Sequence, residues 1–132
     1  MKKYFGHRPD LGILILRVVL GVAFIAHGYS KFAVNGIDGV AGFFMSIGIP
    51  AALLMAWIVS LVELLGGIAL LLGVGTRLAA FLLSIVMIVA IFTAKLPSGF
   101  LGGYELDVVI LGGLVALLLG GAGKYAVVKE EE

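Results

Sequence analysis

Residues 51–73 read AALLMAWIVSLVELLGGIALLLG, an apolar run broken by a single ionisable side chain, Glu63. At 1.5 Å per residue a helix of this run matches the ~30 Å hydrocarbon core of a bilayer. It is apolar on every face, which water does not reward and lipid accepts. Three further runs of this kind accompany it, so the expected spans are 11–32, 51–73, 78–94 and 104–120. Start and stop signals sit at their edges: Pro9-Asp10, Pro50, Gly73-Val-Gly75-Thr76 and Pro97-Ser98-Gly99. The expected fold is all-α, a transmembrane four-helix bundle forming a single domain over residues 1–132. The first apolar run is too long for a signal peptide and lacks a small-residue cleavage pattern, so it is expected to be retained as a span.

Composition agrees. The chain is 62% hydrophobic and 13% charged, with a mean hydropathy of +1.23, whereas soluble domains are roughly 45–50% apolar and 25% charged. A net charge of +1 with dispersed basic residues gives no electrostatic footprint for nucleic acid. Without cysteine, the chain by itself performs no thiol–disulfide chemistry and holds no iron–sulfur cluster. Lys2, Lys3, Arg8, Arg77, Lys124 and Lys129 fall at one end of the expected bundle and only Lys31 and Lys95 at the other, so both termini are expected in the cytoplasm. Tyr29, Phe32, Phe100 and Tyr104 then lie near the outer interface and Tyr125 near the inner one. Between the first two spans, Asp38 is expected to cap a short helix over 38–47 through Val40, Phe43, Phe44 and Ile47. That segment either lies in the interface or packs over the bundle mouth, and in both cases it covers what is beneath.

Charges inside the membrane are the informative residues, because each costs about 2.5–3.5 kcal/mol on insertion scales. They are Arg17, His27, Lys31, Glu63, Glu105 and Asp107. Antiparallel spans with level ends bring Arg17 opposite roughly Gly67, about one turn from Glu63, and a direct Arg17–Glu63 pair is expected. Gly21, Gly66 and Gly67 would let the two backbones approach. At about 100° per residue, Arg17, Gly21, Gly28 and Lys31 form an inward stripe with His27 at its edge, leaving Ile15, Val19 and Val22 to lipid. On the fourth span Glu105, Gly112, Ala116 and Gly120 form another stripe, and Asp107 points about 160° away from Glu105.

The candidate pocket is therefore Arg17, His27, Lys31, Glu63 and Glu105, in the outer half of the bundle. Two readings stay open. In one, Arg17 with Glu63 and Lys31 or His27 with Glu105 are fixed ion pairs that set helix register. In the other, the same groups line a pocket for a polar or redox headgroup, with His27 exchanging protons from a reference pKa of about 6.5. No metal site is expected: His27 with Glu105 and Asp107 is too loose for zinc, and haem would lack a second axial histidine on that side. No catalytic residue is identifiable.

With those residues in place, the chain resembles the DoxX family of small four-helix membrane proteins from about residue 11 to residue 124. The pieces are Leu16-Arg17, Gly21 and His27-Gly-Tyr-Ser-Lys31 in the first span; Gly48-Ile-Pro50; Glu63-Leu-Leu-Gly66-Gly67, Leu71-Leu-Gly73 and Thr76-Arg77-Leu-Ala79; and Glu105 ahead of Gly120-Gly-Ala-Gly123. The family's usual Ser-Leu-Asp ending is replaced here by Tyr125-Ala-Val-Val-Lys129. The resemblance implies a multi-pass protein of a prokaryotic cell (inner) membrane whose motif positions Arg17, His27, Lys31, Glu63 and Glu105 meet a quinone headgroup or a redox partner subunit. A small transporter or proton-conducting homo-oligomer is a second reading. A third is a non-catalytic anchor or assembly factor associating through Gly112, Ala116 and Gly120.

Overall fold

The computed structural model of the chain describes residues 6–129; Lys2 and Lys3, which contribute to the charge asymmetry above, lie outside them. Five α-helices carry the structure: α1 (Pro9–Ala33), α2 (Gly36–Ser46), α3 (Ala52–Leu72), α4 (Thr76–Ala90) and α5 (Glu105–Gly120). α4 continues through a π-helical turn, Ile91–Lys95, and a 3-10 turn, Leu96–Ser98. α5 is preceded by another wide turn, Phe100–Tyr104. With these extensions the third and fourth spans run Thr76–Ser98 and Phe100–Gly120, and four segments among the described residues are long and apolar enough to cross a membrane. Both exceed the sequence-based ranges, because Pro97 and Gly99 end the helix only after the tighter and wider turns have carried it further.

α1 and α3 are antiparallel and form the tightest seam. A methyl group on Gly28 would lie 2.6 Å from the Leu64 backbone nitrogen, one on Gly21 would lie 2.8 Å from the Gly67 carbonyl oxygen and the Leu71 nitrogen, and one on Gly67 would lie 2.7 Å from the Ile25 nitrogen. Glycine is required there because the backbones themselves touch, as membrane helices do where lipid gives no hydrophobic reason to associate. The outward face of α1 is Ile15, Val19 and Val22, all exposed, as the periodicity predicts. A turn with two glycines in the left-handed region, Gly73 (φ 77°) and Gly75 (φ 56°), returns the chain from α3 to α4. Leu20, Phe24, Leu70, Ala80, Leu83, Leu114 and Leu117 then fill the half of the bundle that holds the chain ends. α2 lies across the other half, burying Val40, Ala41 and Phe44 against Ala52 and Ala56 of α3. Its helix starts at Gly36, so Asp38 stands in the first turn instead of capping it. There its negative charge still opposes the helix dipole favourably.

Arg17 does not meet Glu63. Gly21 sits against Leu71 and Gly28 against Leu64, a register in which Arg17 reaches only the C-terminal end of α3. Its fully buried guanidinium donates from Nη1 to the Leu70 carbonyl (3.2 Å) and from Nη2 to the Tyr125 carbonyl (3.0 Å). The last carbonyls of α3 would otherwise lack partners. Arg17 serves one and the tail serves another through Val127 N to Leu72 O (3.0 Å), while Val128 N donates to the carbonyl of Gly73, the residue that caps the helix (3.1 Å). The Lys124 amide also donates to Asp10 Oδ1 (3.2 Å), so both described ends are tied together at one end of the bundle. Arg17→Gln is expected to destabilise the protein by about 1.5–3 kcal/mol, the usual contribution of hydrogen bonds to a charged group. Hydrogen exchange at the Val127 and Val128 amides should accelerate with it; unchanged protection would show that the tail holds without Arg17.

Candidate functional site

The half of the bundle away from the chain ends is not filled. A cavity of about 810 Å³ lies there, bounded by α1 and α3, roofed by α2, and walled on the far side by α4 and α5. Its surface is mostly aliphatic and aromatic, with polar groups at a few points. That is the usual character of a small-molecule site: apolar walls supply affinity and a few placed polar atoms fix orientation.

Three of the five expected residues meet in it. His27 and Lys31 come from adjacent turns of α1, and Glu63 from the middle of α3. Lys31 Nζ donates to Glu63 Oε2 at 2.9 Å, with Glu63 buried and Lys31 half-buried. The α1–α3 register that carries Arg17 past Glu63 is what delivers Lys31 to it. His27 stands beside this pair with its side chain exposed toward the cavity. Arg17 belongs to the opposite half, as described, and does not line the cavity.

Glu105 also falls outside it. It is exposed, and so are Gly112, Ala116 and Gly120 of its stripe; a methyl group on Gly112 would meet nothing within 4 Å. α5 instead turns Ile110, Leu114 and Leu117 inward, and Asp107 with them. Lys31 and His27 therefore do not pair with Glu105. The physical reason is that α5 is apolar almost all round, so a charged residue in its first turn, next to the interface, does not need to face the core. Asp107 lines the cavity from the wall facing His27 and Lys31, and its Oδ2 is buried with no hydrogen-bond partner among the described residues. Its spacing to Ile110, Leu114 and Leu117 was the available signal, since the bulkiest side chains of α5 mark the buried stripe. Lys95 and Thr93, in the wide turn after α4, complete the polar rim.

A hydrogen-bonding headgroup could thus be met by a cationic side chain already held by a carboxylate, by an imidazole, and across the cavity by the Asp107 side chain. Among the described residues, no three His, Asp or Glu side chains are close enough to form a metal-binding set.

Comparison with known proteins agrees with this architecture. The DoxX family model matches residues 12–96. The chain is 39% identical over 113 residues to a Bacillus subtilis (strain 168) protein named "Putative oxidoreductase CatD", covering 86% of this chain and 81% of that one. It is 37% identical over 127 residues to an uncharacterized membrane protein of Mycobacterium tuberculosis (strain ATCC 25618 / H37Rv), covering 86% and 77%. It is 28% identical over 123 residues to "Inner membrane protein YqjF" of Escherichia coli (strain K12), covering 89% and 90%. No solved structure matches the chain significantly. The fold and these matches define a four-span bacterial-type membrane protein in contact with lipid along its apolar faces. The chain belongs to the DoxX family.

Proposed function

We propose that this protein binds a quinone-like amphiphile in the cavity beneath α2 and serves as a membrane subunit of a redox system in the cell inner membrane. The observation that carries the reading is the cavity itself: an apolar chamber of about 810 Å³ into which His27, Lys31 and Glu63 project from one side and Asp107 from the other. Lys31, oriented by Glu63, donates a hydrogen bond to a quinone carbonyl oxygen. His27 exchanges the proton that accompanies electron transfer, and a partner supplies the electrons. The name of the Bacillus subtilis relative, "Putative oxidoreductase CatD", is in keeping with the same chemistry. The basic residues Arg8, Arg77, Lys124 and Lys129 gather at the end where α1 begins and α5 ends, so that end faces the cytoplasm and the cavity faces the outer leaflet. For a partner subunit or a second copy, the outward stripe of Gly112 and Ala116 is where another helix can approach α5 most closely.

A transport route through one chain is less well supported. Leu70, Leu83, Leu114 and Leu117, all fully buried, fill the half below the cavity, and solutes would have to displace that packing. Purified protein in lipid nanodiscs is expected to bind a decyl-substituted dimethoxy-methyl-benzoquinone saturably. His27→Ala, which removes an exposed side chain and leaves the packing alone, should weaken that binding by about tenfold, the ~1.4 kcal/mol of one hydrogen bond. Absence of saturable binding to the unaltered protein would overturn the reading.

A further inference from the structure

α3 and α4 pack closely at their turn and then part. Near the turn Gly66 lies against Leu83, where an added methyl group would come within 3.1 Å of the leucine side chain. Further from the turn Ile58 and Val59 on α3 and Ile85, Val86 and Val89 on α4 all line the cavity.

Ile58 and Ile85 are the decisive positions. By helical spacing Ile58 shares a stripe with Leu54, Leu61 and Leu65, and Ile85 shares one with Phe81, Ile88 and Phe92. Every residue of both stripes is exposed, Ile58 at 43% and Ile85 at 44%. A side chain can belong to the outward face of its helix and also line an internal cavity only where the cavity opens between the helices. Val89, 47% exposed, stands one turn above Ile85 on the same edge. Phe43 of α2 lines the cavity too and is exposed.

The level of this opening decides what can use it. Ile58 is six residues into α3, about 9 Å along the helix at 1.5 Å per residue. That places it beneath the interface, among acyl chains. Its sides are aliphatic, whereas the hydrogen-bonding groups His27, Lys31, Glu63 and Asp107 are contributed by α1, by the cavity-facing edge of α3 and by α5.

We infer that the gap between α3 and α4 at Ile58, Ile85 and Val89 is a lateral portal, through which a ligand enters from the outer leaflet and in which its single apolar tail remains while the polar head lies against His27 and Lys31. The ligand class is accordingly a one-tailed, lipid-soluble amphiphile. This rests on the cavity being a ligand site, as proposed above, and adds the route and the tail requirement.

The test compares the tail-less dimethoxy-methyl-benzoquinone with its decyl derivative in nanodiscs, on the unaltered protein, on Ile58→Trp and Val89→Trp, which narrow the gap from its lipid edge, and on Leu61→Trp as a control. Leu61 is exposed on the same stripe as Ile58 and does not line the cavity. Comparing each ligand with itself across variants cancels its partitioning into lipid. Ile58→Trp and Val89→Trp are expected to weaken the decyl derivative at least tenfold and to change the tail-less compound less than twofold, with Leu61→Trp matching the unaltered protein. Equal weakening of both compounds, or no change in either, would overturn the portal while leaving the binding site standing. If the unaltered protein binds neither compound, both readings fall.

Discussion

Gly28→Ala lowers the unfolding temperature of the solubilised protein, while Gly112→Ala leaves it unchanged. The added carbon is identical in the two variants and only its surroundings differ. At Gly28 it would stand 2.6 Å from the Leu64 nitrogen and 2.7 Å from its Cα, while at Gly112 nothing lies within 4 Å. A flexible side chain could swing away from the new methyl group, but the Leu64 backbone is part of α3 and moves only if the two helices separate. Overpacking of that kind costs typically about 1–3 kcal/mol, and in a bilayer the expense is hard to recover elsewhere because helix association depends on close packing. Gly28→Leu is expected to yield no folded protein. The protein's one tryptophan reports the outcome directly: Trp57 of α3 lies 5.8 Å from Phe32 of α1, centroid to centroid, across this seam. Its fluorescence during a thermal ramp should show the transition shifted down for Gly28→Ala and for Gly67→Ala, and unshifted for Gly112→Ala. Equal melting of all the variants would mean that the seam is loose enough to admit a methyl group.

The contrast between those glycines also shows what could be read in the residues alone. Four spans, their punctuation, the inward stripe of α1 and its lipid face at Ile15, Val19 and Val22 all follow from apolar length and a 3.6-residue period. These properties belong to one helix at a time. Register between helices does not. Expecting Arg17 opposite Gly67 assumes level helix ends, as in a tight hairpin, but α2 intervenes between α1 and α3 and releases that constraint. The shift toward Leu71 and Leu64 takes Arg17 from Glu63 to the end of α3 and hands Glu63 to Lys31. The C-terminal tail, whose Tyr125 carbonyl completes the Arg17 arrangement, carries no local sign of where it docks. α5 fails for another reason. A helix apolar on nearly every side gives its charges no periodicity to argue from, and the stripe of small residues Gly112, Ala116 and Gly120 points Glu105 inward at the expense of Asp107.

Lys31→Met is expected to produce the largest loss of stability among substitutions at the site, and the double variant Lys31→Met/Glu63→Met to recover most of it. Alone, the lysine change leaves the Glu63 carboxylate buried without its 2.9 Å partner. Stranding one member of a buried pair costs roughly 3–5 kcal/mol. Lys31 retains about a fifth of its side-chain exposure, so water reaches part of the pair and the loss belongs near the lower end of that range. Removing both charges leaves two flexible apolar side chains of suitable length in an apolar wall, where a buried ion pair offers little net stability over its hydrophobic replacement. Unfolding in mixed micelles measures each member of the cycle, and binding of the decyl benzoquinone measures the site. A double variant as unstable as Lys31→Met would show that something other than the orphaned carboxylate is responsible. The two readouts are expected to separate: stability returns in the double variant and ligand binding does not, because no amount of packing replaces a donor aimed at a quinone carbonyl oxygen. If binding returned along with stability, the pair would be only a register pin between α1 and α3, and the headgroup would have to be held by His27 and Asp107 alone.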